Sequence, residues 1–435
     1  MTPAARRETM LQVALDFINL SQALRVAREA VAGGADCVEA GTPLIKSEGL
    51  DAVRRLRAEF PDLPVVADLK TMDAGRTEME AASNAGASVA TILGLASDSS
   101  IQEFIQAGDQ YGCQVAVDLL GCPEPVERAK AVAEWGAASV GVHCAIDDQM
   151  RGRDPFDLLR RVAEAVDLPV SVAGGINSET VVQAIEAGAA IAIVGGAIIK
   201  SADARAAAAT IRQAMSSGQS ARCELYHRAT DDTVREILEK VSTANVSDGN
   251  HHGPSIVGLR PIWQGCKMVG TALPVRTAPG DFAKPVEAID HAEPGDVIVV
   301  DAGGRPPAVW GELATESCLQ KGVAGIAVDG AVRDTEHIVA KKFPCFARHV
   351  CPAAGYPKGY GEIGAAIRIE GIPIHRGDWI IGDDDGIMVV PRARAAEMSN
   401  RAMDVLEREN RIRSEIRAGK TTLGDVLELQ RWEKR

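Results

Sequence analysis

The sequence predicts an α/β chain of two domains, an N-terminal (β/α)₈ TIM barrel followed by a second α/β domain of different texture. Three observations carry this. At 435 residues the chain exceeds one ordinary domain. Over residues 1–215 a single theme recurs: a short β-branched run, a loop with Gly or a charge, then an Ala-rich amphipathic stretch. Beyond a small, polar linker (SSGQSAR, within 216–232) that theme stops, and the region 233–435 reads as short Gly-rich strands and a long charged helix.

In order, the apolar runs are LQVALD ending at Asp16, DCVEAG ending at Gly41, PVVADLK ending at Lys70 and SVATIL ending at Leu93. CQVAVDLL ending at Leu120, ASVGVH ending at His143, PVSVAG ending at Gly174 and AIAIVG ending at Gly195 complete the set. They are continuous rather than alternating, as in parallel strands buried on both faces. Helical stretches such as LSQALRVAREAVAGGA and SETVVQAIEAGA close on Gly, a C-cap signal. Eight strand–helix units in this length suit a barrel closed by right-handed crossovers. A doubly wound sheet would concentrate its ligand site at one switch point, whereas polar residues here end nearly every strand. The second region opens with the helix TDDTVREILEKV and continues through STANVSDG, GDVIVVDAGG, GVAGIAVDGAVRD and GDWIIGDDDGIMVVP. From Arg392 a long amphipathic helix follows, expected to pack on a neighbour or lie at an oligomer surface.

The balance of 46% hydrophobic and 25% charged residues is that of a globular protein able to bury a core in each half. A net charge of −13 argues against nucleic acid or an anionic membrane as partner. No stretch has the apolar length of a membrane span, and the start (MTPAARRETM) reads as a short tail before a strand rather than a leader. Nine scattered cysteines without a C-x-x-C suit idle thiols in a reducing compartment, so the cytoplasm is the expected location.

In a (β/α)₈ barrel catalytic groups sit at the C-terminal strand ends, which here supply Asp16, Glu39, Asp68, Lys70, Asp118 and His143. Two glycine turns, Gly174-Gly175 and Gly195-Gly196, follow strands seven and eight, the usual phosphate position of such barrels. Glu39 and Asp68 are candidates to hold one Mg²⁺, because buried acids without a cation resist ionisation. Lys70, two residues beyond Asp68, is expected on the same strand face, offsetting part of that charge. A metal and a lysine facing a phosphosugar suit chemistry through an enediolate. Any one of these residues reads equally well as a loop ion pair, and His143 as a core histidine; the functional reading rests on six polar groups and two turns sharing one mouth.

The strings EAGTPLIKSEG, VVADLKTMDAG, HCAIDDQ, SVAGGI and IVGGAI resemble, in order, the 3-hexulose-6-phosphate synthases of the orotidine-5′-phosphate decarboxylase superfamily. The D-x-K-x-x-D signature falls on Asp68, Lys70 and Asp73. The resemblance implies Mg²⁺-dependent aldol addition of formaldehyde to ribulose 5-phosphate, with Glu39 and Asp68 on the metal. It also implies that Asp73 reaches in from the other subunit of a dimer. Within it, His143 is the candidate proton-transfer group and Asp118 a hydrogen-bonding partner to substrate. The rival 3-keto-gulonate-6-phosphate decarboxylases carry arginine just after this histidine, where Cys144, Ala145 and Ile146 stand here. Synthases usually show Gly near Ala145, a small departure in the loop.

From about Thr233 to Glu407 the chain resembles the ribonuclease-activity-regulator family, which also contains 4-hydroxy-4-methyl-2-oxoglutarate aldolases. The strings are STANVSDG, GDVIVVDAGG, WGELAT, GVAGIAVDGAVRDT and GDWIIGDDDGIMVVP. An αββα swivelling-type domain that trimerises is implied. Arg333-Asp334 matches the arginine–aspartate metal pair of the enzymic members, Glu312 its acidic partner, and the amides of Leu313 and Ala314 a carboxylate site. Pyruvate-type aldolase or oxaloacetate decarboxylase activity on a 2-oxo acid, another activity coupled to the barrel, and a purely oligomerising role all remain open. Dimeric barrels and trimeric tails would close as a hexamer of dihedral symmetry or else form larger arrays. His251-His252 reads as a solvent-facing loop, Asp383-Asp384-Asp385 as a tight polar turn, and GGAIIKS is no P-loop because Gly is missing before Lys.

Overall fold

The computed structural model describes residues 9–225 and 227–432. The expected N-terminal tail, residues 1–8, lies outside the described residues. The chain divides into two compact units. One comprises the residues up to Gln149, those from Arg153 to the linker, and those from Glu407 onward; the other comprises Met150–Gly152 and His227–Leu406.

All eight apolar runs of the first half are strands: β1 (Met10–Leu15), β2 (Cys37–Ala40), β3 (Val65–Thr71), β4 (Val89–Leu93), β5 (Gln114–Asp118), β6 (Ser139–His143), β7 (Val170–Ala173) and β8 (Ile191–Val194). They pair in parallel in chain order, and β8 returns to β1, closing the barrel. Local chemistry fixes the helix ends. The side chains of Asn19, Ser97 and Asp203 each accept a backbone N–H in the first turn of the following helix. Gly112 and Gly218 end two helices in left-handed backbone, which a Cβ disfavours. The glycine expected to close SETVVQAIEAGA is one step late: Ala187 caps that helix and Gly188 turns away behind it.

In the second unit the strands are β9 (Ser255–Ile256), β10 (Arg260–Pro261), β11 (Met268–Thr277), β12 (Asp296–Asp301), β13 (Ala308–Trp310), β14 (Gly325–Val332), β15 (Cys345–Val350), β16 (Gly361–Ile363), β17 (Ile367–Ile369), β18 (Ile372–Ile374), β19 (Trp379–Asp383) and β20 (Gly386–Val390). A mixed sheet runs β10-β15-β14-β12-β11-β19-β20-β9, with β13 and β16 at its side, and β17 and β18 form a hairpin of their own. Period-two alternation explains why GDVIVVD reads as unbroken apolar sequence. Ile298 and Val300 face a core that includes Ala288, Ala314 and Ile338 of three helices. Val297 and Val299 face Ile367, Ile369, Ile372 and Ile374 of the hairpin.

The helix Ala395–Arg417 shows a difference from the sequence-based division. The sequence texture places residues 233–435 whole in the second unit, yet from Glu407 onward the chain groups with the barrel. Charged side chains with internal partners, described below, hold it there. All nine cysteines are free thiols. Among the described residues no helix is long and apolar enough to cross a membrane.

Candidate active site

Because side chains alternate along a strand, the barrel mouth is lined by the last inward-facing residue of each. β3 departs from this regularity. Its register shifts between Ala67 and Thr71, and Lys70 adopts left-handed backbone at φ 48°. The ammonium is thereby brought to both oxygens of Asp68, at 3.0 and 2.9 Å, and to Oδ2 of Asp118 at 3.1 Å. Sequence spacing anticipated the Asp68–Lys70 contact; a local bulge produces it rather than the regular pleat.

Asp68 is held from two further sides. Thr42 Oγ1 donates to its Oδ2 at 2.6 Å and Thr91 Oγ1 to its Oδ1 at 2.8 Å. Asp118 accepts from the Leu120 amide at 2.9 Å, and its Oδ2 lies 3.2 Å from His143 Nδ1. Burial opposes the Asp118 charge, but His143, Lys70 and the Leu120 amide prevail and lower its pKa. Lys70 is pulled down by desolvation, which the charges of Asp68 and Asp118 outweigh, so it stays protonated well above its ordinary range.

Glu39 is the least satisfied acid. It is buried and accepts a hydrogen bond from Gln12 Nε2. Desolvation, then the charges of Asp68 and Asp16, raise its carboxyl well above the usual carboxylate range, against only partial relief from Gln12 and Lys70. Asp16 is raised as well, by desolvation first and then by Asp68, while Lys70 and His143 pull the other way. Its carboxylate fits between two glycines: a Cβ on Gly41 would stand 2.2 Å from Oδ1, and one on Gly195 would stand 3.4 Å from Oδ2. Three acids thus converge on one cation, Lys70, which Asp118 shares.

That surplus of hard oxygen donors fits a divalent cation held by Glu39 and Asp68. Among the described residues no three His, Cys, Asp or Glu side chains form a ready ligand cage, so water or substrate oxygens would complete the coordination. Gly174 has φ 101°, and a Cβ there would meet the Cys144 carbonyl at 2.5 Å, so only glycine makes this turn. Gly175 is also left-handed, and Gly195 precedes the short helix Gly196–Ile199. Asp73 is exposed and stands outside the bonded cluster.

In the second unit the helix Glu312–Lys321 begins against Asp334, whose Oδ2 accepts from the Glu312 amide at 3.1 Å. A Cβ on Gly311 would stand 2.4 Å from that oxygen. Asp334 is itself left-handed, and Arg333 Nε lies 3.5 Å from it. Leu313 is 82% exposed beside buried Ala314. His251 and His252 are exposed, and Asp384 and Asp385 make the turn between β19 and β20, as expected.

Several participants were not singled out from the sequence. Gln12, Thr42 and Thr91 hold the barrel acids; Gln12 and Thr91 were detectable as polar residues interrupting apolar strands. His337, 3.4 Å from Glu312 and 2.8 Å from Glu316, joins the second site from a helix one turn past Arg333-Asp334.

The closed barrel, with a cluster of acids, a lysine and a histidine at its strand ends, has the architecture of a (β/α)₈-barrel enzyme. The family model for orotidine 5′-phosphate decarboxylase and the HUMPS family matches residues 9–211, and that for the Aldolase/RraA family matches residues 243–389. The 3-hexulose-6-phosphate synthase of Methylomonas aminofaciens is 42% identical, over 46% of this chain and 97% of the relative. That of Mycobacterium gastri is 40% identical, over 47% and 99%. A solved structure of the RNA-processing inhibitor RraA from Thermus thermophilis is 26% identical, covering 34% of this chain and 92% of that one, with a TM-score of 0.32. The chain belongs to the orotidine 5′-phosphate decarboxylase/HUMPS family through its barrel and carries an RraA-like domain behind it.

Proposed function

We propose that the barrel catalyses the reversible addition of formaldehyde to D-ribulose 5-phosphate, giving D-arabino-hex-3-ulose 6-phosphate. The single observation that carries this is the convergence of Glu39, Asp68 and Asp16 around Lys70, with His143 set by Asp118. The relatives' activity supports it. The phosphate would lie at Gly174-Gly175 and Gly195-Gly196, where backbone approaches closely. Asp118 engages Nδ1 of His143, leaving Nε2 to take the C1 proton of the sugar. The resulting enediolate carbon attacks formaldehyde, and the new alkoxide regains a proton from the same imidazole. The protonated Lys70 faces the charge that develops on the sugar oxygens. A Mg²⁺ at Glu39 and Asp68 would supply further positive charge for those oxygens. Asp73, exposed on its own protomer, would complete the mouth of a partner barrel.

Formaldehyde consumption dependent on ribulose 5-phosphate and Mg²⁺ tests this directly; no consumption by the folded chain, with or without the cation, rejects it. Turnover of 3-keto-gulonate 6-phosphate alone would assign the decarboxylase reaction instead. For the second unit we propose a pyruvate-type aldolase or oxaloacetate decarboxylase, with Asp334 and Glu312 at a divalent cation. There the Leu313 and Ala314 amides would meet a 2-oxo acid's carboxylate, and Arg333 would face the developing enolate. The approach of Asp334 to the first turn at Gly311-Glu312 supports it.

A further inference from the structure

Residues 407–432 lie beyond both family matches, 9–211 and 243–389, yet they group with the barrel. They are attached by buried charge. Arg411, 4% exposed, donates to Glu29 at 3.1 Å, to Glu415 at 2.7 Å and to the Ser201 carbonyl at 2.8 Å. Glu415 also pairs with Arg25 at 3.5 Å, and Glu407, 2% exposed, with Lys200 at 3.5 Å. Charges taken out of water cost several kcal/mol each unless paired, so this segment is built to remain docked.

Past that anchor the tail reaches the segment after β1 and the end of the helix that follows β2. Thr422 and Asp425 cap each other at the start of the helix Leu423–Val426. The Asp425 carbonyl then accepts from Asn19 Nδ2 at 3.4 Å. Arg431 Nη1 donates to Glu48 Oε1 at 2.7 Å, and the same oxygen accepts from the Leu20 amide at 3.2 Å. Ser47 Oγ donates to the Ile18 carbonyl at 2.7 Å. The segment Asp16–Asn19 after β1 is therefore tied both to the helix Thr42–Glu48 and to the tail. That segment begins with Asp16, and that helix starts three residues after Glu39.

We propose that residues 421–431 act as a positioning strap for the barrel site: Asp425 and Arg431 hold in working register the segment that begins with Asp16 and the helix Thr42–Glu48 that follows the strand bearing Glu39. The inference rests on the reading of the barrel mouth as the substrate site. The test compares the full chain, a chain ending at Lys420, and Arg431→Ala in the full chain. It reads amide hydrogen exchange together with formaldehyde-dependent turnover. In the shortened chain exchange should rise roughly fivefold or more at residues 17–20 and 45–49 and stay unchanged in β5 and β6. KM for ribulose 5-phosphate should rise severalfold more than kcat falls. Arg431→Ala, which removes half-exposed ion pairs to Glu48 and Glu428, should shift the same amides in the same direction by roughly two- to fivefold. Unchanged exchange at residues 17–20 and 45–49 overturns the proposal. So does a uniform rise across all barrel strands in both variants, which would make the tail a general brace. If the intact chain shows no turnover, the assigned reaction fails, and the exchange comparison alone decides whether the strap orders these loops.

Discussion

Glu39→Gln should stabilise the metal-free protein while abolishing its barrel activity. In the wild type a buried carboxylate faces two others, Asp68 and Asp16, and has one hydrogen bond, from Gln12. The amide keeps that bond through its oxygen and turns its NH₂ toward acids that can accept. An inadequately paired buried charge costs about 1–3 kcal/mol. Relief of about 2 kcal/mol corresponds to a rise of roughly 4–8 °C in Tm for a domain of this size. Because Glu39 binds its proton more tightly folded than unfolded, its cost is absent below the ordinary carboxylate range. The cost grows as pH rises through the raised folded value and is constant beyond it. The variant's advantage should follow the same course. Thermal unfolding in EDTA from pH 4 to 8 measures it. With Mg²⁺ at a hundredfold excess over its Kd, the wild type alone should gain about 2.7 kcal/mol, narrowing or reversing the order. A variant that melts at or below the wild type in EDTA at pH 7 would refute the crowding of acids on which the argument stands.

His143→Ala should lower kcat by roughly 10²–10⁴-fold with little change in KM, as steady-state kinetics would show, because the residue moves a proton rather than binding phosphate. Gly174→Ala forces a Cβ to within 2.5 Å of the Cys144 carbonyl and should raise KM for ribulose 5-phosphate at least tenfold, roughly, while circular dichroism stays that of the folded barrel. Arg333→Ala in the full chain should abolish pyruvate release from 2-oxo acid substrates and leave formaldehyde consumption intact; a coupled lactate dehydrogenase assay separates the two.

The barrel was legible because each of its strands is buried on both faces and so reads as an apolar run between loops. Its polar strand ends, Asp68, Lys70, Asp118 and His143, do meet in space. Less legible was how they meet. Left-handed backbone at Lys70 depends on the register shift in β3, which no residue spacing announces. Thr42 lies in the first turn of the helix after Gly41, where a hydroxyl reads as an ordinary helix-start residue, yet it reaches across to Asp68. Nothing local to His337 signals its role, because its partners, Glu312 and Glu316, are more than twenty residues away in sequence. The tail's place with the barrel is hidden for a related reason: in sequence Arg411 and Glu415 look like a solvent-facing i, i+4 pair, but Glu29 and the Ser201 carbonyl close around them.

A crystal of the full chain soaked with ribulose 5-phosphate and Mg²⁺ tests the central claim most directly. One cation should lie between the carboxylates of Glu39 and Asp68, with the sugar's phosphoryl group against Gly174-Gly175 and Gly195-Gly196. Sugar bound elsewhere, or a mouth in which those two acids share no ion while the glycine turns stay empty, would contradict it.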